Sequence, residues 1–167
     1  FLHTLSLHDA LPIYGVAPVQ VIWQTGKYYE REMQEFLRSH PTKNIWQGAF
    51  IERMDYAYAA ADVVLSRSGA CTVSELCLVA KPTIFVPSPN VAEDHQTKNA
   101  MALVEQGAAE IVRDSEAVER GMHLAVELSR NGRRLEELSS NIAKLAISDS
   151  ADRVVRVIDE VLTEVKR

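Results

Sequence analysis

Between residues 19 and 112 the chain repeats one beat: a short apolar run rich in β-branched or aromatic residues, a break, then a stretch with helical spacing. The predicted strands are 19–23, 45–50, 63–65, 83–86 and 109–112, and the predicted helices between them are 28–39, 54–61, 71–79 and 94–106. Thr25-Gly26-Lys27 marks a strand-to-helix turn, and His40-Pro41 stops the first helix because a residue before proline avoids the helical region. The strands are apolar without in/out alternation. Such strands belong to an α/β domain whose parallel sheet is covered by helices on both faces through right-handed crossovers. After Arg113 only helical patterns follow, at 115–129, 132–147 and 151–165. The last carries an apolar stripe of Val154, Val155, Ile158, Val161 and Leu162, expected to close the domain or cross to a neighbour.

With 167 residues, 47% of them hydrophobic, the chain is long enough to bury one core. Its 18 basic and 23 acidic residues give a net charge of −5, and no Lys/Arg cluster supplies the footprint of a nucleic-acid binder. No apolar run is long enough to span a bilayer. Cys71 and Cys77 match no zinc spacing and are expected as small core residues in a reducing compartment. Trp23, Trp46 and Phe85 are expected in the core as well.

Residues 1–13 (FLHTLSLHDALPI) have neither the basic start nor the small-residue cleavage site of a signal peptide. They resemble the in-frame translation of a sequencing-library adapter, so they are expected to be a non-native leader and are left out of the fold reading. Residues 14–167 are expected to form one domain, the C-terminal piece of a longer protein.

In an open parallel sheet, ligands sit beyond the carboxyl ends of the strands. Two loops lie there. The first reads Arg67-Ser68-Gly69-Ala70-Cys71-Thr72-Val73-Ser74-Glu75. Its glycine permits close approach, its helix start offers unpaired N–H groups, and Arg67 adds a guanidinium fork, an assembly suited to a diphosphate. Thr72-x-x-Glu75 also reads as a capping box, in which both side chains only satisfy the helix start. The second loop, residues 87–99, brings Glu93, Asp94, His95, Gln96 and Asn99 to the same end, groups that suit sugar hydroxyls. Glu93, Asp94 and His95 are consecutive and point around a helix axis, so no metal site is expected.

Taken in order, VIWQTGKYYE, AFIERMDYAYAAADVVLSRSG and RSGACTVSELCLVAKPTIFVPSPNVAEDHQTKNAMALVEQGAA resemble the C-terminal domain of the MurG family of peptidoglycan N-acetylglucosaminyltransferases. The resemblance covers essentially all of 14–167. It implies the C-terminal half of a GT-B glycosyltransferase, with a Rossmann-like sheet. It further implies transfer of GlcNAc from UDP-GlcNAc to the muramyl 4-hydroxyl of lipid I, giving lipid II with inversion and without a metal or other cofactor. By that similarity Ile51 presents its backbone to the uracil, and Arg67 with Ser68, Gly69, Ala70, Cys71, Thr72, Val73 and Ser74 holds the diphosphate. Glu75 binds the ribose, while Gln96 and neighbouring His95 address the GlcNAc.

The family's N-terminal domain is missing, and the general base and the lipid I site are expected there, so the catalytic residues are unknown and this piece alone is expected to be inactive. The family's Gly-Gly-Ser-x-Gly turn is also missing upstream of Tyr14. The implied partners are UDP-GlcNAc, lipid I and the cytoplasmic membrane surface, with no nucleic acid, and the implied location is peripheral, on the cytoplasmic face of the bacterial inner membrane. Two other readings stand beside this one: a natural UDP-sugar-binding subunit of a split two-chain transferase, or another GT-B enzyme such as a UDP-GlcNAc 2-epimerase.

Overall fold

A computed structural model of the chain describes residues 2–3, 19–90 and 94–165, with residues 2–3 and 164–165 described by backbone alone. The expected leader boundary at 13/14 and the expected role of Glu93 lie outside the described residues. The strands are β1 (Leu2–His3), β2 (Val21–Gln24), β3 (Ile45–Gly48), β4 (Val64–Ser66), β5 (Thr83–Phe85) and β6 (Glu110–Ile111). Between them lie helices α1 (Gly26–Ser39), α2 (Met54–Ala60), α3 (Ala70–Val79) and α4 (His95–Val104). All neighbouring strands run parallel, in the order β3-β2-β1-β4-β5-β6. That is the Rossmann order, whose direction reverses between β1 and β4 and opens a crevice there.

The expectation of five strands falls one short. Leu2 pairs with Trp23 of β2 and with Leu65 of β4, so the segment left out of the fold reading supplies the central strand. A parallel ladder is a backbone contact and asks little of side-chain type, so a segment set aside for its resemblance to an adapter translation can still fill that slot.

Each face of the sheet carries its own core. On one face Trp23, Leu65, Ile84 and Val112 pack with Met33 of α1 and with Met122 and Leu138 from the C-terminal helices. On the other, Val64 and Phe85 meet Tyr58 of α2, Leu76 and Cys77 of α3, and Ala100 and Leu103 of α4. Trp23, Leu65, Ile84 and Phe85 are fully buried, and each large apolar side chain so placed contributes about 1.5–3 kcal/mol. The two-sided burial that the strand composition predicts is therefore present.

Two single side chains and one apolar stripe depart from expectation. Trp46 is 51% exposed, because β3 is an edge strand and its indole lies across Gly48 on the open side. Cys71 is exposed while Cys77 is buried, since six residues along a helix turn the two thiols to different faces. The stripe of Val154, Val155, Ile158, Val161 and Leu162 on α7 (Ser150–Val165) stays more than half exposed and joins neither core, so it does not close the domain.

The predicted helix 115–129 is also broken. A 3-10 turn (Asp114–Glu116) and one π turn (Ala117–Gly121) precede α5 (Met122–Ser129). Gly121 lies against the sheet, where a Cβ would stand 3.4 Å from Leu65. Next, α6 (Gly132–Ala143) begins at Asn131, whose side chain accepts the Arg134 N–H at 3.1 Å.

Candidate functional site

The first loop leaves β4 at Ser66 and enters α3 through Gly69, whose extended backbone (φ −63°, ψ 148°) makes it the N-cap. Helical bonding starts with the Val73 N–H to Gly69 O at 2.9 Å, so the N–H groups just before it have no partner within the helix. A Cβ built on Gly69 would meet nothing within 4 Å, so the helix mouth is open. Unpaired N–H groups, the positive end of a helix and open space together suit an anion.

The helix begins earlier than a Thr72 cap requires. Thr72 is a residue within α3, and no side chain caps the helix, so the capping-box reading of Thr72 and Glu75 is overturned. Glu75 lies exposed on α3, and the Tyr58 hydroxyl of α2 donates to its Oε2 at 3.5 Å. Burial first, and then the Glu75 charge, push the Tyr58 pKa up to about 12, so the phenol keeps its proton at neutral pH.

Gln96 and Asn99 tie the second loop to the first. The Gln96 Oε1 accepts the Ser88 N–H at 2.9 Å and the Ser68 N–H at 3.3 Å. The Ser68 hydroxyl donates to Gln96 O at 2.7 Å, and the Asn99 Nδ2 donates to Ser68 O at 3.0 Å. Ser68 itself is fully buried, so its amide, hydroxyl and carbonyl all find partners at the start of α4. The chain enters α4 through Asp94 in the left-handed region (φ 54°), a conformation that Asp tolerates better than most residues. His95 is exposed at the first turn.

Arg67 lies differently from the expectation of a fork facing only a ligand. Its Nη1 donates to Val86 O at 3.0 Å, to Pro87 O at 3.3 Å and to the Asp114 carboxylate. The side chain thus leaves β4, crosses the end of β5 and meets the turn after β6. Among the described residues only Nη1 is engaged, and Nε and Nη2 form the edge that remains.

Ile51 follows β3 and is buried; its N–H donates to the Gln24 Oε1 at 2.9 Å. The expectation that its backbone reads a base therefore meets an amide already bonded to β2. Thr25 and Gln47 hold the same corner, Gln47 Nε2 donating to Thr25 Oγ1 at 2.9 Å.

The structure brings Ser68, Gly69, the start of α3 and Gln96 into one rim at the carboxyl ends of β4 and β5. It sets Arg67 beside that rim and Ile51 at the end of β3, beyond β2 and β1. Sequence reasoning missed Gln24, Tyr58, Ser88 and Asp114. Asn99 sits one turn after Gln96, and that spacing was its one local signal; the others meet their partners only through the fold. Among the described residues no group of three or more His, Cys, Asp or Glu is placed to share a metal ion.

Residues 5–154 match the glycosyltransferase family 28 C-terminal domain. The UDP-N-acetylglucosamine–N-acetylmuramyl-(pentapeptide) pyrophosphoryl-undecaprenol N-acetylglucosamine transferase of Porphyromonas gingivalis (strain ATCC 33277) is 49% identical over 162 residues, 97% of this chain and 43% of that protein. The protein of the same description from Bacteroides thetaiotaomicron is 54% identical over 134 residues, 80% of this chain and 36% of its own length. The crystal structure of Acinetobacter baumannii MurG superposes with a TM-score of 0.79 at 30% identity, covering 93% of this chain and 45% of that one. The calicheamicin glycosyltransferase CalG4 shares the fold, with a TM-score of 0.73 at 17% identity over 99% of this chain and 44% of its own. The chain therefore spans less than half the length of the relatives it matches, and its architecture is that of the C-terminal half of a GT-B glycosyltransferase.

Proposed function

The chain belongs to the glycosyltransferase family 28 C-terminal domain family, and on that premise we propose that it is the donor-binding half of an inverting transferase. The transfer would move GlcNAc from UDP-GlcNAc to the muramyl 4-hydroxyl of lipid I at the cytoplasmic surface of the bacterial inner membrane. The reading is supported by relatives whose name specifies this donor and a pyrophosphoryl-undecaprenol acceptor. Among the described residues no helix is long and apolar enough to cross a membrane, and a lipid-linked acceptor calls for contact with the bilayer surface rather than a span.

In this reading the start of α3 receives the diphosphate. The acceptor oxygen forms a bond to the sugar C1 as the bond from C1 to the β-phosphate oxygen breaks, and the electron pair leaves with UDP. Negative charge grows on that phosphate, and N–H groups already aimed there stabilise the transition state more than the ground state. Arg67 adds positive charge beside them. The acceptor proton passes to a base outside this chain. Because helix and guanidinium supply the charge, the proposal calls for no metal.

Glu75, held by Tyr58, takes the ribose hydroxyls. Gln96 and His95 address the sugar, with the Gln96 amide hydrogens as its donors. Ile51 and the β3 corner take the uracil, which requires Gln24 to yield the Ile51 N–H or the base to use another group there.

The observation that carries the proposal is the open, uncapped start of α3 beside the β1/β4 reversal, joined to the sugar loop through Ser68 and Gln96. Calorimetric titration of the chain with UDP, UDP-GlcNAc and uridine tests it. UDP should bind more tightly than uridine, and equal affinity for the two refutes a diphosphate site.

A further inference from the structure

The Asp114 carboxylate is joined to Arg67 although the two residues lie 47 positions apart. The guanidinium is mostly buried, with 23% of its side chain exposed, and Asp114 is the charged partner that the structure gives it. Two of the three acceptors on Nη1, Val86 O and Pro87 O, belong to the backbone at the end of β5. A side-chain substitution at 114 leaves those two in place, so the guanidinium keeps its anchorage without Asp114. What Asp114 adds is charge.

We propose that Asp114 is a positioning residue that sets how tightly the site holds a diphosphate, by offsetting part of the charge of Arg67, which sits in the loop that enters α3. The inference rests on the donor-site reading above. A diphosphate group carries at least two negative charges after transfer, and a full guanidinium charge on the loop that enters α3 would help retain it. Release of product limits turnover in many enzymes, and a weaker hold on the diphosphate would favour that step. The Nε and Nη2 edge of Arg67 remains for the ligand, while Asp114 reduces its pull.

The test compares UDP and uridine binding to the wild-type chain, Asp114→Asn and Asp114→Ala, with melting temperature as the check on folding. Both variants should bind UDP about three- to tenfold more tightly at low salt, as expected for removing one charge near a protein surface, and uridine affinity should stay unchanged. The gain should shrink as salt is raised. In an Arg67→Ala background, Asp114→Asn should have no effect.

UDP affinity that is unchanged or weaker in Asp114→Ala and Asp114→Asn overturns the inference while leaving the donor site standing, provided wild type prefers UDP to uridine. A gain that persists without Arg67 overturns it too. A wild-type chain that does not prefer UDP overturns both readings.

Discussion

The Gln96 side chain has two chemically different ends, and the fold has already engaged one of them. Its oxygen accepts from Ser68 and Ser88, so the NH₂ group is the end available to a ligand. Gln96→Glu keeps both acceptor bonds but replaces the donors with a negative charge on the rim. We expect that variant to keep its melting temperature, to bind UDP several-fold more weakly at low salt, and to lose the extra affinity for UDP-GlcNAc, read by titration with both ligands. Tyr58 offers a test through pH. Its pKa is pushed up to about 12 in the folded chain, against an ordinary value of 10.0. A raised folded-state pKa means stability that is complete below the unfolded pKa and is lost as pH rises from 10 towards 12. Tyr58→Phe should therefore flatten the alkaline loss of stability in urea titrations across that interval. If Glu75 grips the ribose, Glu75→Ala should weaken UDP several-fold, with little change in melting temperature, because no cap is lost.

At the scale of elements, most of the sheet was legible because each strand and each crossover helix carries its own composition and stop signal. The predicted strand 63–65 and helix 71–79 differ from Val64–Ser66 and Ala70–Val79 by only a residue or so. What escaped was fixed by contacts between distant parts. β1 depends on backbone slots in β2 and β4, Trp46 is exposed because β3 ends the sheet, and the break before α5 ends where Gly121 lies against Leu65. The loops at the carboxyl ends could be located from the beat, yet the Arg67–Asp114 pair could not, since neither residue carries a local mark of the other. Asn131 caps α6 through its side chain, and Asn131→Ala should lower stability by about 1 kcal/mol in a urea titration. Neither core includes a residue of α7, so ending the chain after Asp149 should leave the melting temperature within a few degrees of the original in a circular-dichroism melt.

The whole chain spans less than half the length of its relatives, and in the proposed reading the chemistry divides in the same way. We expect the chain alone to bind UDP but to transfer no sugar when mixed with UDP-GlcNAc and lipid I; sugar transfer by the isolated chain would place the missing base within it. In a full-length transferase carrying this half, EDTA should leave turnover unchanged, as measured by lipid II formation. A loss reversed by a divalent cation would show that the helix start and Arg67 do not suffice for the leaving group. The buried Ser68 has a consequence for redesign. Every polar group of that residue is matched to the opening of the neighbouring helix, so the segment after β4 and the segment after β5 behave as one part. Grafting 86–99 from a homologue with another sugar preference, without its own counterpart of 66–69, would leave mismatched donors and acceptors beneath the new surface. If the second loop addresses the sugar, sugar preference in this scaffold is inherited by pairs of loops.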